Sequence, residues 1–359
     1  MIPRTASARS ALSDGDALDR IATGAVEADA GMRGLAADMT LLTACGMLER
    51  LCSEADPASH VTLLRRIGRA SQSVGRLAEG HMNALGLVTL YGTVRQQHDH
   101  RAAARSGTIF GVWGADGEPP VRILRDEGAG LYLTGCKRFA SGLGTVSRAV
   151  VTAQTSDGPR LVIADVTDPA RADAEAWNTS GMRATASGRY DFEGVQAEPL
   201  GVAGDYLREP HFEGGVWRYA AVHVGGLEAL AEEVRQAVRA QGDEAGEAQL
   251  HRVARLASLA HGSRLFVEDA ARQVAAPDAG KDAVAVSLAA REAVEAACQE
   301  AIALADRALG TRAFGTGHRV DLVRRDLGLF LRQANLDGKL RSVGQTVCRS
   351  VLPVGETWG

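Results

Sequence analysis

The 359-residue chain is poor in aromatics, at 4%, and holds only five cysteines: Cys45, Cys52, Cys136, Cys298 and Cys348. They are scattered, odd in number and never in a CxxC pair. That spacing excludes a zinc ribbon and speaks against a disulfide framework; no metal site is expected. No apolar run approaches the ~18 residues of a membrane helix. The opening segment MIPRTASARSALSDGDALDR lacks the continuous apolar core of a secretory signal, so the cytoplasm is the expected compartment. Lysine is scarce too, with Lys137, Lys281 and Lys339 the only three among 40 basic residues. Against 44 acidic residues this leaves a net charge of −4, the reverse of the strongly basic balance of a nucleic-acid binder.

The familiar chemical signatures are missing as well. Without GxGxxG there is no Rossmann dinucleotide fingerprint, and without GxxxxGK[ST] no P-loop. HExxH and GxSxG are absent, which removes zincin and α/β-hydrolase chemistry. What the chain does have is 45% hydrophobic residues in periodic order, enough for two or three domains at this length. Abundant alanine raises helix propensity everywhere, so periodicity has to sort the elements.

Three parts follow from it. Residues 1–105 read as helical: Leu41, Leu42, Cys45, Leu48 and Leu51 recur at helical steps, as do Val74, Leu77, His81, Leu85 and Val88. Pro57 marks a turn between these runs. Residues 106–208 carry short strands at Leu131–Leu133, Arg148–Ala153, Leu161–Val166 and Tyr190–Phe192, separated by turn residues, as in a small antiparallel barrel or sandwich. Residues 209–359 return to helical periodicity. Breaks at 241–246, 277–280 and 314–318 divide that part into a four-helix bundle. The expected fold is α+β: a helical domain, a β domain and a helical bundle.

Three segments in this order resemble a known family. Tyr132 to Gly144, YLTGCKRFASGLG, is similar to the L-x-G-x-K-x-[WF] hairpin of the acyl-CoA dehydrogenase superfamily of flavoproteins. Gly181 to Val195 resembles that family's G-x-R-x-[ST]…F-[DE]-x-V strand pair. Leu309-Gly310…Phe314 with Arg324-Arg325-Asp326 resembles its C-terminal G-G-x-G-[FY]…R-D segment. The resemblance runs from about residue 35 to 350. It implies a flavin held between the β domain and the bundle: FAD, with FMN or reduced flavin as a co-substrate as alternatives. Phe139 would pack on the ring, Ser141 would meet its edge, and Val112, Trp113 and Gly114 would form a second contacting segment. Arg307 and Gly310 would serve the phosphates.

The chain departs from the family pattern in two places. The usual catalytic glutamate follows the Arg-Asp pair by eight residues, and that position is Ala334. A carboxylate is needed to take the α-proton of an acyl thioester while the flavin takes the β-hydride; Glu213, one turn before Trp217-Arg218, is the candidate replacement. The loop that normally carries Arg-x-x-Phe-Gly reads QGDEAGEA over 241–248, without the arginine for the FAD pyrophosphate. Glu79, His81 and Asn83 interrupt an otherwise apolar helix, a costly choice unless they pair or face a pocket. Monooxygenases of the same fold use a histidine there with the hairpin hydroxyl to stabilise flavin-activated oxygen, which gives His81 and Ser141 that role. The resemblance therefore implies a dehydrogenase of an acyl-CoA or acyl-carrier thioester, with a monooxygenase and a non-catalytic scaffold as alternatives. The long apolar faces between 248 and 309 suggest a homo-oligomer, and the resemblance implies a homodimer or homotetramer.

Overall fold

Helix starts are written in the capping residues. Ser13, Asp56 and Ser71 each accept a backbone N–H in the first turn that follows, and Thr93 forms a full capping box with Gln96. In the computed structural model, which describes residues 12–53, 56–126 and 130–358, these caps open α1 (Asp14–Asp29), α4 (Pro57–Ala70), α5 (Gln72–Tyr91) and α6 (Val94–Arg105). Between them, α2 (Ala36–Ala44) and α3 (Met47–Leu51) divide the first periodic run at Gly46, whose φ of 76° needs glycine. Residues 1–11 of the expected N-terminal part lie outside the described residues.

The β region contains β1 (Phe110–Trp113), β2 (Arg122–Asp126), β3 (Gly130–Thr134), β4 (Cys136–Arg138), β5 (Arg148–Thr155), β6 (Gly158–Asp165), β7 (Ala172–Asp173), β8 (Arg189–Asp191) and β9 (Val195–Leu200). One sheet runs β1-β5-β2-β3-β9-β6, and a further β5–β6 pairing closes its last five strands into a barrel. A second small sheet joins β4, β8 and β7. The expected antiparallel pattern needs one correction, because β5 runs parallel to both β1 and β2. Parallel neighbours need a long crossover, and residues 114–147 supply it for β1 and β5 while carrying the β4 hairpin.

The C-terminal part has five helices rather than the expected four: α7 (Trp217–Arg239), α8 (Glu247–Ala275), α9 (Lys281–Leu309), α10 (Arg319–Phe330) and α11 (Leu336–Arg349). The three expected breaks are present. The unexpected one falls at 331–335, where Asn335 takes a left-handed φ of 57°. Asparagine tolerates that conformation at modest cost, so no proline or glycine announces the turn.

Contact between α4 and α7 ties the N-terminal helices to the bundle. A Cβ on Gly225 would lie 2.3 Å from Arg65 O, and one on Gly68 would lie 2.5 Å from Val222 O. Two bare backbones therefore meet here. Gln72 bridges them, its Nε2 donating to Gly68 O at 2.8 Å and Val222 O at 2.9 Å. Arg65 adds a bidentate pair to Glu228 Oε1, at 2.6 and 2.9 Å.

Gly225→Ala must push the two backbones apart, and overpacking of this kind costs about 1–3 kcal/mol. Gly86→Ala, on an open face of α5 with nothing within 4 Å, should instead add about 0.5–1 kcal/mol through helix propensity. Urea unfolding of both variants checks the pair; equal midpoints would contradict the close approach.

Candidate functional site

Strand alternation and helix periodicity aim a small set of side chains at one cleft. It has two lobes, of about 410 and 460 Å³, which share Arg76, Val112, Gly114, Ala115, Phe330, Gln333 and Ala334 in their walls. Each volume lies within the ~300–1,000 Å³ of small-molecule and cofactor sites.

The smaller lobe is aromatic and hydroxylic. Phe139 stands there with a left-handed φ of 54° and 53% of its surface exposed. Such strain in a bulky residue persists only where the surroundings enforce it. Phe139 meets Trp177 edge-on at 6.1 Å. Behind them Thr185 Oγ1 and Ser187 Oγ lie 2.7 Å apart, and Ser187 donates to Ser141 Oγ at 2.9 Å. Met182 O receives both Thr185 Oγ1 at 2.7 Å and Trp177 Nε1 at 2.8 Å. When Thr185 turns its proton from Met182 O to Ser187, Ser187 donates to Ser141 and the proton of Ser141 is free for the lobe, with Trp177 Nε1 still on Met182 O.

Val112 and Gly114 line the cleft, whereas Trp113 does not. Successive strand residues face opposite sides, so Trp113 is buried against Tyr190 and Phe192 at 5.4 and 6.3 Å. From the core side its Nε1 donates to Ser141 O at 3.1 Å and steadies the hairpin. Lys137, fully buried, donates to Asp116 Oδ1 at 2.5 Å, Thr152 Oγ1 at 2.7 Å and Gly114 O at 3.2 Å. It pins the turn after β1 that walls both lobes. Asp326 holds the opposite loop, its Oδ1 accepting from Met182 N at 2.6 Å. Burial pushes that carboxyl up to about 7.

The larger lobe is charged. Arg76 Nη1 donates to Glu79 Oε2 at 2.5 Å, Arg218 Nη2 donates to Asn83 Oδ1 at 3.0 Å, and Arg218 Nε stands 4.0 Å from Glu79 Oε1. Glu213, Tyr219 and Lys339 also line this lobe, together with Tyr206 and His211. Burial pulls Lys339 below its ordinary value against the opposing pull of Glu213. Ala334 lies in the shared wall, and Lys339 Nζ donates to its carbonyl at 2.6 Å.

Glu213 thus reaches the cleft, but His81 does not. At about 100° per residue, Arg76, Glu79 and Asn83 share one side of α5, while His81 lies roughly 200° from Glu79. Its Nδ1 accepts from Phe110 N at 3.1 Å, and its ring borders a separate cavity of about 300 Å³ beside Cys52 and Leu85. Burial lowers its pKa to about 4. Arg307 and Gly310 sit exposed at the end of α9 and line neither lobe. Sequence reasoning missed Arg76, Arg218 and Lys339; the i, i+3, i+7 spacing of Arg76, Glu79 and Asn83 was the available signal.

No family profile matches the chain. The dibenzothiophene monooxygenase of Rhodococcus erythropolis is 29% identical over 198 residues, 50% of this chain and 48% of that protein. The match thus spans about half the length of that curated relative. Among solved structures, dibenzothiophene monooxygenase from Paenibacillus sp. A11-2, in complex with FMN and indole, superposes with a TM-score of 0.80 at 18% identity, covering 96% of this chain and 98% of that one. Butyryl-CoA dehydrogenase from Megasphaera elsdenii gives 0.79 at 14%, covering 93% and 95%. The fold is that of the acyl-CoA dehydrogenase superfamily. Among the described residues no helix is long and apolar enough to cross a membrane.

The neutral, buried His81 makes stability depend on pH. Its folded pKa lies below the unfolded value of about 6.5, so its contribution is full above pH ~6.5 and lost as pH falls toward 4. His81→Gln keeps an acceptor for Phe110 N–H without titrating, and should lose less stability than the parent between pH 6.5 and 4. Urea midpoints at three pH values measure this; parallel losses would refute it.

Proposed function

We propose that this chain is a flavin-dependent monooxygenase that works with FMN and O₂ on a small molecule. Ala334 carries the reading: it lies in the cleft wall at the position where the family pattern places a dehydrogenase's carboxylate, so α-proton abstraction has no base at that position. When bound, reduced flavin would supply two electrons to O₂, so that one oxygen atom enters the substrate and the other leaves as water.

The residues present fit such a ring. Phe139 and Trp177 offer aromatic surface for packing and for exclusion of water, and Phe330 adds an apolar wall. The Thr185–Ser187–Ser141 chain fixes a hydroxyl at the lobe. It can donate a proton outward when Ser187 donates to Ser141. It can accept instead when Ser141 donates to Ser187, because Trp177 Nε1 satisfies Met182 O in either arrangement. Ser141 is therefore the catalytic candidate, with Ser187 and Thr185 as positioning residues. The missing adenylyl arginine and the acidic 241–248 loop favour FMN over FAD, as does the FMN complex of the Paenibacillus enzyme.

Glu213 supports a second reading. It lines the larger lobe, the substrate side on this reading, just before α7, and an acyl thioester dehydrogenase would use it as the base.

Purified protein supplied with enzymatically reduced FMN should consume O₂ and give oxygenated product. Ser141→Ala should lower product formation by about 10²-fold while leaving FMN retention within a few fold. Turnover that proceeds anaerobically, with loss of α-proton exchange from bound acyl-CoA in Glu213→Gln, would transfer the assignment to the dehydrogenase reading.

A further inference from the structure

The substrate-side lobe contains an uncompensated cation. Arg76 and Arg218 face a single carboxylate, Glu79, which is only 4% exposed and bonded to Arg76. Arg218 is left with a neutral amide, Asn83, as its close partner. Among the described residues, Arg218 Nε and Tyr219 Oη have no hydrogen-bond partner, and both atoms are sealed from water. Burial raises the Tyr219 hydroxyl far above its ordinary value, so it keeps its proton and is a donor. The charge of Arg218 is felt across the lobe: after burial, it is the second cause holding His211 below its usual value. Lys339 and Glu213 offset each other farther along.

Buried charges are normally paired, and a buried donor without a partner costs about 1–3 kcal/mol. Two such donors, on successive residues of α7 that both line a lobe of net positive charge, call for an acceptor that carries negative charge. A guanidinium suits an oxyanion in particular. The rest of the lining sets Leu87, Phe212 and Val216 beside Tyr206, His211 and Gln333, so the lobe suits an acceptor on a short, largely apolar body. We propose that this lobe selects small organic acids: Arg218 and Tyr219, both in its lining, turn their sealed donors into the lobe to receive a carboxylate, sulfinate or sulfonate head group while the apolar body points toward the smaller lobe. A neutral polycyclic aromatic would leave Arg218 unpaired. The proposal rests on the flavin reading only for its orientation relative to the smaller lobe.

The test is calorimetric binding of hexane-1-sulfonate, hexanoate and 1-hexanol to the full chain, with and without FMN. At least one acid should bind and 1-hexanol should bind far more weakly. Arg218→Gln should weaken acid binding on the order of thirtyfold or more and leave 1-hexanol unchanged. Asn83→Asp keeps Arg218 but supplies it with an internal anion 3.0 Å away, so it should expel the acid comparably even if Arg218→Gln fails to fold. Acids that bind no better than 1-hexanol, or that bind Asn83→Asp as well as the parent, would overturn the proposal. Acid binding without any FMN binding would sink the flavin reading and leave this one standing.

Discussion

The close approach of α4 and α7 is the constraint on which the cleft depends. Gly68 and Gly225 remove the side chains that would hold two helix backbones apart, and Gln72 then spans the gap with both of its amide protons. Because α5 begins immediately after α4, this contact also sets the position of Arg76, Glu79 and Asn83. Arg218 lies two turns before Gly225 on α7 and is carried to the same place. The charged lobe is thus a by-product of a steric condition some distance from it. Widening the crossing by one methyl group would shift every polar contact in that lobe together.

The β region works by a different rule. Its contribution depends on which side of a strand or hairpin a residue occupies, and buried anchors hold that choice. Trp113 grips the Ser141 carbonyl from the core, and Lys137 holds the turn at Gly114 through three hydrogen bonds. Neither touches the cleft. Both nonetheless hold groups that do, the Ser141 backbone and the turn at Gly114. Aromatic packing and a chain of hydroxyls then define one lobe, and ionic groups from the helices define the other. A division of this kind suits a reaction in which one bound molecule supplies reactivity and the other must be selected.

Much of the architecture could be read in advance from pattern. Helical periodicity, turn residues and capping residues located the main elements, and the order of three motifs identified the fold. The misses share a cause. The break at 331–335 uses Asn335 and carries no proline or glycine, yet it brings Gln333 and Ala334 into the cleft. His81, Glu79 and Asn83 were grouped by proximity along the chain, although one of the three faces the opposite way. Trp113 was grouped with its neighbours on a strand, where neighbours point apart.

Local physics in the sequence therefore determined the elements, their order and the fold, because periodicity, capping and turn chemistry act over a few residues. It also determined the absence of a carboxylate at position 334, since that depends on identity alone. Which charges meet was decided only by tertiary structure. Arg76 and Arg218 stand 142 positions apart in the chain, and nothing local makes them share one glutamate. That pairing follows from two glycines that let helices touch, and with it the unsatisfied donors on which the proposed selectivity rests.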